Sequence, residues 1–324
     1  LRYLGEKGVG RMSAKTKKIS VPGFLANGIS VGIKSADKKD VGLIYSTLPA
    51  KVAAVFTKNS FKAAPLLINA ERIKRGTAQA IITNSGCANA ATGKEGYKDA
   101  LAVSEQLAKE LQIKEEHILL ASTGIIGQRL PVKKINGGIG KLVKGLNEHG
   151  IEDAELAMMT TDKFPKVAIR KGIVGARDIT ICGIAKGAGM INPAMATMLC
   201  FVTTDAAVDQ ATMQSILDEC VHTTFNAASV DGDTSTNDTV LVLANGKSGV
   251  FHAGAFKEAL ESMMLFLAKE MVRDGEGATK LVTYKVTGAI NAHEAEIAAK
   301  ALSNSLLVKT ALFGQDPNWG RIAS

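Results

Sequence analysis

A chain of 324 residues with 46% hydrophobic and 22% charged residues, 32 glycines and only 7 prolines can bury a full core, and its composition excludes collagen-like, disordered and heptad-dominated classes. Lys and Arg number 39 against 31 Asp and Glu, a formal charge of +8; apart from Lys15, Lys17 and Lys18 the basic residues are spread out, and the 5% of aromatics do not interleave with them, so small anionic substrates rather than nucleic acid are the expected partners. The four cysteines, Cys87, Cys182, Cys200 and Cys220, form no CxxC pair, which argues against a zinc ribbon or redox pair and fits a reduced, cytoplasmic protein.

Residues 1–11 lack an apolar run followed by a small-residue cleavage site, and Met12-Ser13 reads as a natural start, so 1–11 are expected to be leader or added sequence outside the fold. Beyond them, β-rich runs alternate with amphipathic stretches, with no low-complexity linker and no fixed-period repeat. Strands are expected over 52–56 and 79–83, then a helix over 98–111 with Ala100, Val103, Leu107 and Leu111 on one face. Strands over 167–170, 179–185 and 199–204 follow. The uncharged stretch between Lys186 and Asp205 holds Gly187, Gly189, Asn192 and Pro193 and does not read as a membrane span. A helix over 207–222 aligns Met213, Ile216, Leu217 and Cys220; after a strand over 239–244, another over 256–272 aligns Leu260, Met263, Leu267 and Met271. A strand over 280–287, a helix over 292–302 and a strand over 307–313 close the series. The methionines read as core filler. These proportions predict an α/β protein with helices covering sheet faces; spacing does not give the strand order.

Familiar nucleophile and ligand sets fail against this sequence. There is no GxSxG elbow, and His117, His149, His222, His252 and His293 have no metal-ligand spacing. Gly137, Gly138, Gly140 and Lys141 suggest a phosphate loop, but Ile135 and Leu142 occupy its first-glycine and Ser/Thr positions, leaving a flexible turn before a helix. Asp231, Asp233, Ser235 and Asn237 resemble the front of a calcium loop, yet Thr236 replaces its glycine and Val242 its bidentate Glu. Such a run more simply ties a turn or lines a polar pocket, and no metal is expected.

What remains is Lys186-Gly187-Ala188-Gly189-Met190-Ile191-Asn192-Pro193-Ala194-Met195-Ala196-Thr197-Met198-Leu199-Cys200. Small residues let backbone come close to one hydroxyl, that of Thr197. On the residues alone, a tight turn with Thr197 bonded to backbone is the simpler reading. The chemistry that would use the arrangement is that of an N-terminal threonine, whose α-amine, with an ordinary pKa of ~7.7–8.0, serves as general base for its own hydroxyl. An internal threonine gains that amine only if the preceding bond, Ala196–Thr197, is cut. Ser122-Thr123-Gly124 offers a hydroxyl and an unhindered N–H, in a loop between apolar runs, for the oxyanion.

With these segments the sequence resembles the ornithine acetyltransferase family, the bifunctional glutamate N-acetyltransferases of arginine biosynthesis. The resemblance runs from Val21-Pro22-Gly23-Phe24 through Thr83-Asn84-Ser85-Gly86, Ser122-Thr123-Gly124, Met159-Thr160-Thr161-Asp162, Lys186-Gly187-Ala188-Gly189-Met190, Ala196-Thr197-Met198-Leu199 and Asp274-Gly275-Glu276-Gly277-Ala278-Thr279-Lys280 to Asp316-Pro317-Asn318-Trp319-Gly320-Arg321, in family order. It implies an N-terminal-nucleophile-like α-β-β-α sandwich with Thr197 at the start of a central strand. It also implies self-cleavage at Ala196–Thr197 into an α chain, 12–196, and a β chain, 197–324, which stay together as an α2β2 assembly. Thr197 would take the acetyl group from N2-acetylornithine and pass it to glutamate by ping-pong transfer, with Thr123 and Gly124 as the oxyanion-hole pair and Thr160, Lys186, Thr197 and Glu276 binding substrate.

The resemblance implies no cofactor and leaves acetyl-CoA open as a second donor. Family members continue past Trp-Gly-Arg into a segment that completes the pocket, which this sequence, ending at Ser324, does not include. Cys87 stands where relatives more often have Asn, and no catalytic role is assigned to it. The competing reading is a self-processing aminopeptidase or amidohydrolase of the same fold, in which water rather than glutamate resolves the acyl-enzyme; a non-enzymatic binding protein is the third.

Overall fold

The structure, a computed structural model, describes residues 19–35, 37–192 and 198–324. The expectations for 1–11 and for Ala196 and Thr197 themselves lie outside the described residues. Among the described residues eight strands form a mixed sheet: β1 (Phe24–Ile29), β2 (Val41–Phe56), β3 (Thr77–Cys87), β4 (Ile118–Ile125), β5 (Val167–Val174), β6 (Arg177–Lys186), β7 (Leu199–Thr204) and β8 (Thr239–Ala244). Their order is β4-β3-β2-β8-β7-β6-β5, with β1 also paired to β2.

β2 explains how one sheet makes two layers. Its 41–46 half pairs with β1 and its 51–56 half with β8 on the same edge, and its register against β3 shifts between Tyr45 and Ala50. Irregular register of this kind bends a strand. The sheet therefore folds over, and inner-face residues of both halves share one apolar layer: Ile44, Val52, Ile81 and Leu119 from one half, Cys182, Ile184, Leu199, Phe201, Leu241 and Leu243 from the other. Period-two alternation sends the next residues outward. Leu43, Ala80, Ile82 and Leu120 meet α2 (Gly93–Leu111) and α3 (Val132–Lys144) on one outer face. On the other, Ile181, Cys200, Val202, Val240 and Val242 meet α5 (Gln210–Thr223) and α6 (Ala253–Arg273). The layers are α-β-β-α, built from a single folded sheet. The two parallel pairs, β3/β4 and β7/β8, are each joined through a helix, α2 and α5 respectively, as parallel strands require.

The remaining helices are α1 (Ala64–Arg72), α4 (Ile151–Met158), α7 (Ala292–Asn304), α8 (Leu306–Phe313) and α9 (Trp319–Ala323). Several expectations need correction. The run 307–313 is helix α8, not a strand; a short apolar run fits either, and Ser305, whose Oγ accepts the Val308 N–H, caps it as a helix. Residues 280–287 form no strand, because β propensity needs a partner edge and no described strand pairs with them. The glycines of 137–140 lie inside α3 rather than in a turn, and a Cβ on Gly138 would come within 2.4 Å of Val31. All four cysteines are buried free thiols. Among the described residues no helix is long and apolar enough to cross a membrane.

Candidate active site

The site forms where strand ends meet. Lys186 is the last residue of β6 and lies opposite Leu199, the first of β7, which in turn lies opposite Thr239, the first of β8. Across the fold, Ser122, Thr123 and Gly124 lie in the C-terminal half of β4. Thr123 and Gly124 belong to this strand rather than to a loop, and they pair with Ser85 and Gly86 of β3. Gly124 has φ +130°, and a Cβ there would sit 2.4 Å from the Gly86 carbonyl carbon, so only glycine permits this approach.

Lys186, 3% exposed, donates from Nζ to Thr123 Oγ1 at 3.3 Å. An ammonium has no lone pair, so the Thr123 oxygen accepts here and its own proton is left to donate elsewhere. Burial pushes the Lys186 pKa down, with Asp162 pulling it back up from 3.9 Å. Burial acts to raise Asp162 in turn, but Lys186, Lys166 and the Thr160 N–H hold it down to about 2. Asp162 accepts from the Thr160 N–H at 2.9 Å and the Gly187 N–H at 2.8 Å, joining the loop after α4 to the loop after β6.

Beneath these groups Lys166 is fully buried. Its Nζ donates to Asp162 at 2.9 Å and to Asp274 at 2.6 Å, and Asp274 also accepts from the Lys163 N–H. A buried charge is tolerated only when paired, so breaking one partner here would strand the others. Asp274 caps α6 two residues before Glu276, whose N–H donates to Ala188 O at 2.8 Å and whose Oε1 accepts from the Thr161 hydroxyl at 2.7 Å. Glu276 is exposed and open to solvent.

The structure thus brings Thr123, Gly124, Thr160, Lys186 and Glu276 into one linked region, and Thr197 and Ala196 fall outside the described residues. Lys166 and Asn237 are the members that spacing did not single out for this site. Asn237 Nδ2 donates to Ser122 O at 2.8 Å and to Ala88 O at 2.7 Å, tying the β8 approach to the strand that carries Thr123. The oxygen-rich 231–237 run ties turns, as its composition suggested: Asp231 accepts from the Met190, Ile191 and Asp233 N–H groups. Among the described residues no group of three or more His, Cys, Asp or Glu could hold a metal ion.

A folded α/β sheet with a buried ammonium, a threonine hydroxyl and a glycine at its strand ends is the donor set that an acyl-transfer enzyme uses. The chain belongs to the ArgJ family, whose model matches residues 25–324. It is 49% identical over 313 residues to the arginine biosynthesis bifunctional protein ArgJ of Caldanaerobacter subterraneus subsp. tengcongensis, covering 94% of this chain and 77% of that one. It is 48% identical over 311 residues to the protein of the same name from Geobacter sulfurreducens, covering 94% and 79%. The crystal structure of the arginine biosynthesis bifunctional protein ArgJ from Bacillus halodurans superposes with a TM-score of 0.52 at 38% identity, covering 57% of this chain and 96% of that chain.

Proposed function

We propose that the chain cuts itself at Ala196–Thr197 and that Thr197 then carries an acetyl group from N2-acetylornithine to glutamate. The observation that carries this reading is the Lys186–Thr123 bond at the strand ends, because it uses the Thr123 oxygen as an acceptor and leaves the hydroxyl proton to donate to an oxyanion. In each half-reaction Thr197 Oγ or the acceptor amine adds to the acetyl carbonyl, Thr123 and the Gly124 N–H stabilise the tetrahedral oxygen, and the Thr197 amine moves the proton. Sharing one site and one oxyanion hole between both halves is what makes two easier steps out of one difficult transfer. Thr160 and Glu276 bind the substrate, with Glu276 the anion for the ornithine amine.

The Bacillus halodurans relative supports the division into two chains: matched over 96% of itself, it extends over only 57% of these 324 residues, about the extent of the 12–196 piece. An α2β2 assembly of the two pieces follows the same reading. Acetyl-CoA remains a candidate second donor for direct glutamate acetylation.

Incubating the protein with N2-acetylornithine, with and without glutamate, tests the proposal, with Glu276→Gln run alongside. The wild type is expected to form N-acetylglutamate only when glutamate is present, with parallel double-reciprocal plots. Glu276→Gln should raise KM for acetylornithine by roughly tenfold, the loss of one charge-assisted bond, and leave kcat nearly unchanged. Free acetate as the main product would mean a hydrolase; an unchanged KM would remove Glu276 from the amine site.

A further inference from the structure

Lys34 is far in sequence from every segment named so far, yet its side chain runs along the strands that carry Thr123 and Gly124. It stands in the loop after β1, which Asp40 holds in place. Fully buried, Asp40 accepts the Val31 N–H at 2.7 Å on Oδ1 and the Ile33 and Lys34 N–H groups at 2.6 and 3.2 Å on Oδ2. The Asp40 carbonyl accepts the Ser85 N–H at 2.9 Å, and Ser85 pairs with Thr123, so the loop is anchored to the strand beside the oxyanion residues. The Lys34 stem covers Gly86, the neighbour of Gly124: a Cβ on Gly86 would lie 3.2 Å from Lys34 Cγ. Its Nζ donates to the Met159 carbonyl at 2.8 Å, one residue before Thr160. Lys34 thus bridges the Gly86–Gly124 contact and the Thr160 loop.

Its ammonium has donors left for a ligand. Lys166 lies between two aspartates, and Lys186, 3% exposed, donates to Thr123 with Asp162 close by. Lys34 is half-buried; among the described residues the Met159 carbonyl is the one acceptor of its Nζ, and no carboxylate forms an ion pair with it. An ammonium is a triple donor, so protons remain. From this geometry we infer that Lys34 is a substrate-binding cation that takes the α-carboxylate shared by N2-acetylornithine, ornithine and glutamate. The inference rests on the proposed acetyl transfer at Thr123 and Gly124.

Covalent geometry places that carboxylate close to the oxyanion residues. The acetyl group moves to and from the α-nitrogen, so the carboxylate carbon is separated from the acetyl carbonyl carbon only by nitrogen and Cα, on the order of 3–4 Å away. With the acetyl oxygen at Thr123 and Gly124, the carboxylate must fall beside this strand pair, where Lys34 is packed. A cation at this spacing also selects the α-nitrogen, since an acetyl group on the δ-nitrogen would hold the carboxylate several bonds farther off. Burial pushes the Lys34 pKa below the usual lysine value; Asp40 and Asp162 pull it up, and Lys38 and Lys186 push it down. A bound carboxylate supplies the close counter-charge that a half-buried ammonium otherwise lacks.

The test is calorimetric titration of the purified protein with ornithine and with ornithinamide, in which a neutral amide replaces the α-carboxylate, for the wild type, Lys34→Arg, Lys34→Met and Lys34→Gln, beside the assay for N-acetylglutamate. Ornithine carries no acetyl group, so binding is read without turnover. The wild type is expected to prefer ornithine by roughly 10–100-fold, Lys34→Arg to keep most of that preference, and both neutral variants to bind the two ligands about equally. A merely structural role would weaken both ligands together and leave the preference intact. A wild type without the preference, or neutral variants that keep it, overturns the proposal, while N-acetylglutamate formed by the wild type leaves the acetyl-transfer reading standing. A wild type that makes no N-acetylglutamate overturns that reading and the inference with it. If Lys34→Met fails to fold by circular dichroism, Lys34→Gln, which keeps a donor for Met159, decides by the same criterion.

Discussion

Thr197→Ala is expected to remain a single 34.0 kDa chain and to lose acetyl transfer by at least ~10⁴-fold. Both losses follow from one atom. Without Oγ nothing attacks the Ala196 carbonyl, so the α-amine is never released, and nothing holds the acetyl group between donor and acceptor. The effect is larger than that of any other substitution because covalent capture and the general base sit on the same residue, and the remaining oxyanion donors act only on an adduct that no longer forms. Denatured intact mass and the coupled acetylornithine–glutamate assay read the two losses. An alanine variant that still separates into two pieces at this bond would displace Thr197 from the mechanism.

Thr123→Val should lower kcat by about 10²–10³-fold with little change in KM, because in the proposed mechanism the hydroxyl acts on the tetrahedral oxygen rather than on bound substrate. Valine keeps the β-branched shape that strand β4 buries, so the loss is chemical. The substitution also removes the acceptor 3.3 Å from Lys186 Nζ, leaving Asp162 at 3.9 Å as the counter-charge of a buried ammonium. Thr123→Ser, which restores the oxygen, should recover most of kcat. Equal activity in valine and serine variants would show that the Gly124 N–H carries the oxyanion without it. Steady-state kinetics on the processed enzyme separates these outcomes.

Strands β7 and β8 match the sequence reading at both ends because each is a short apolar run buried on both faces, and α5 and α6 follow from one apolar stripe each. Strand β4 is hidden for the opposite reason. Ser122, Thr123 and Gly124 have turn composition, yet β3 pairs with them, and Gly124 is needed because Gly86 passes so close, a tertiary fact with no local signature. The fold of one sheet upon itself likewise depends on β2 changing partners along its length, which spacing does not record. Lys186 and Glu276 were legible only through family motifs. Lys166 shows why: a lysine reads as a surface residue until the structure places it between Asp162 and Asp274, and pairing across 108 positions leaves no periodic trace.

The central claim is an acetyl group on Thr197, and the direct measurement is peptide mass spectrometry of enzyme quenched after exposure to N2-acetylornithine carrying an isotopically labelled acetyl group, without glutamate. The account predicts a peptide that begins at Thr197 and bears one labelled acetyl group, discharged on adding glutamate with the label appearing in N-acetylglutamate. An unlabelled Thr197 peptide in enzyme that nevertheless makes labelled N-acetylglutamate would contradict it.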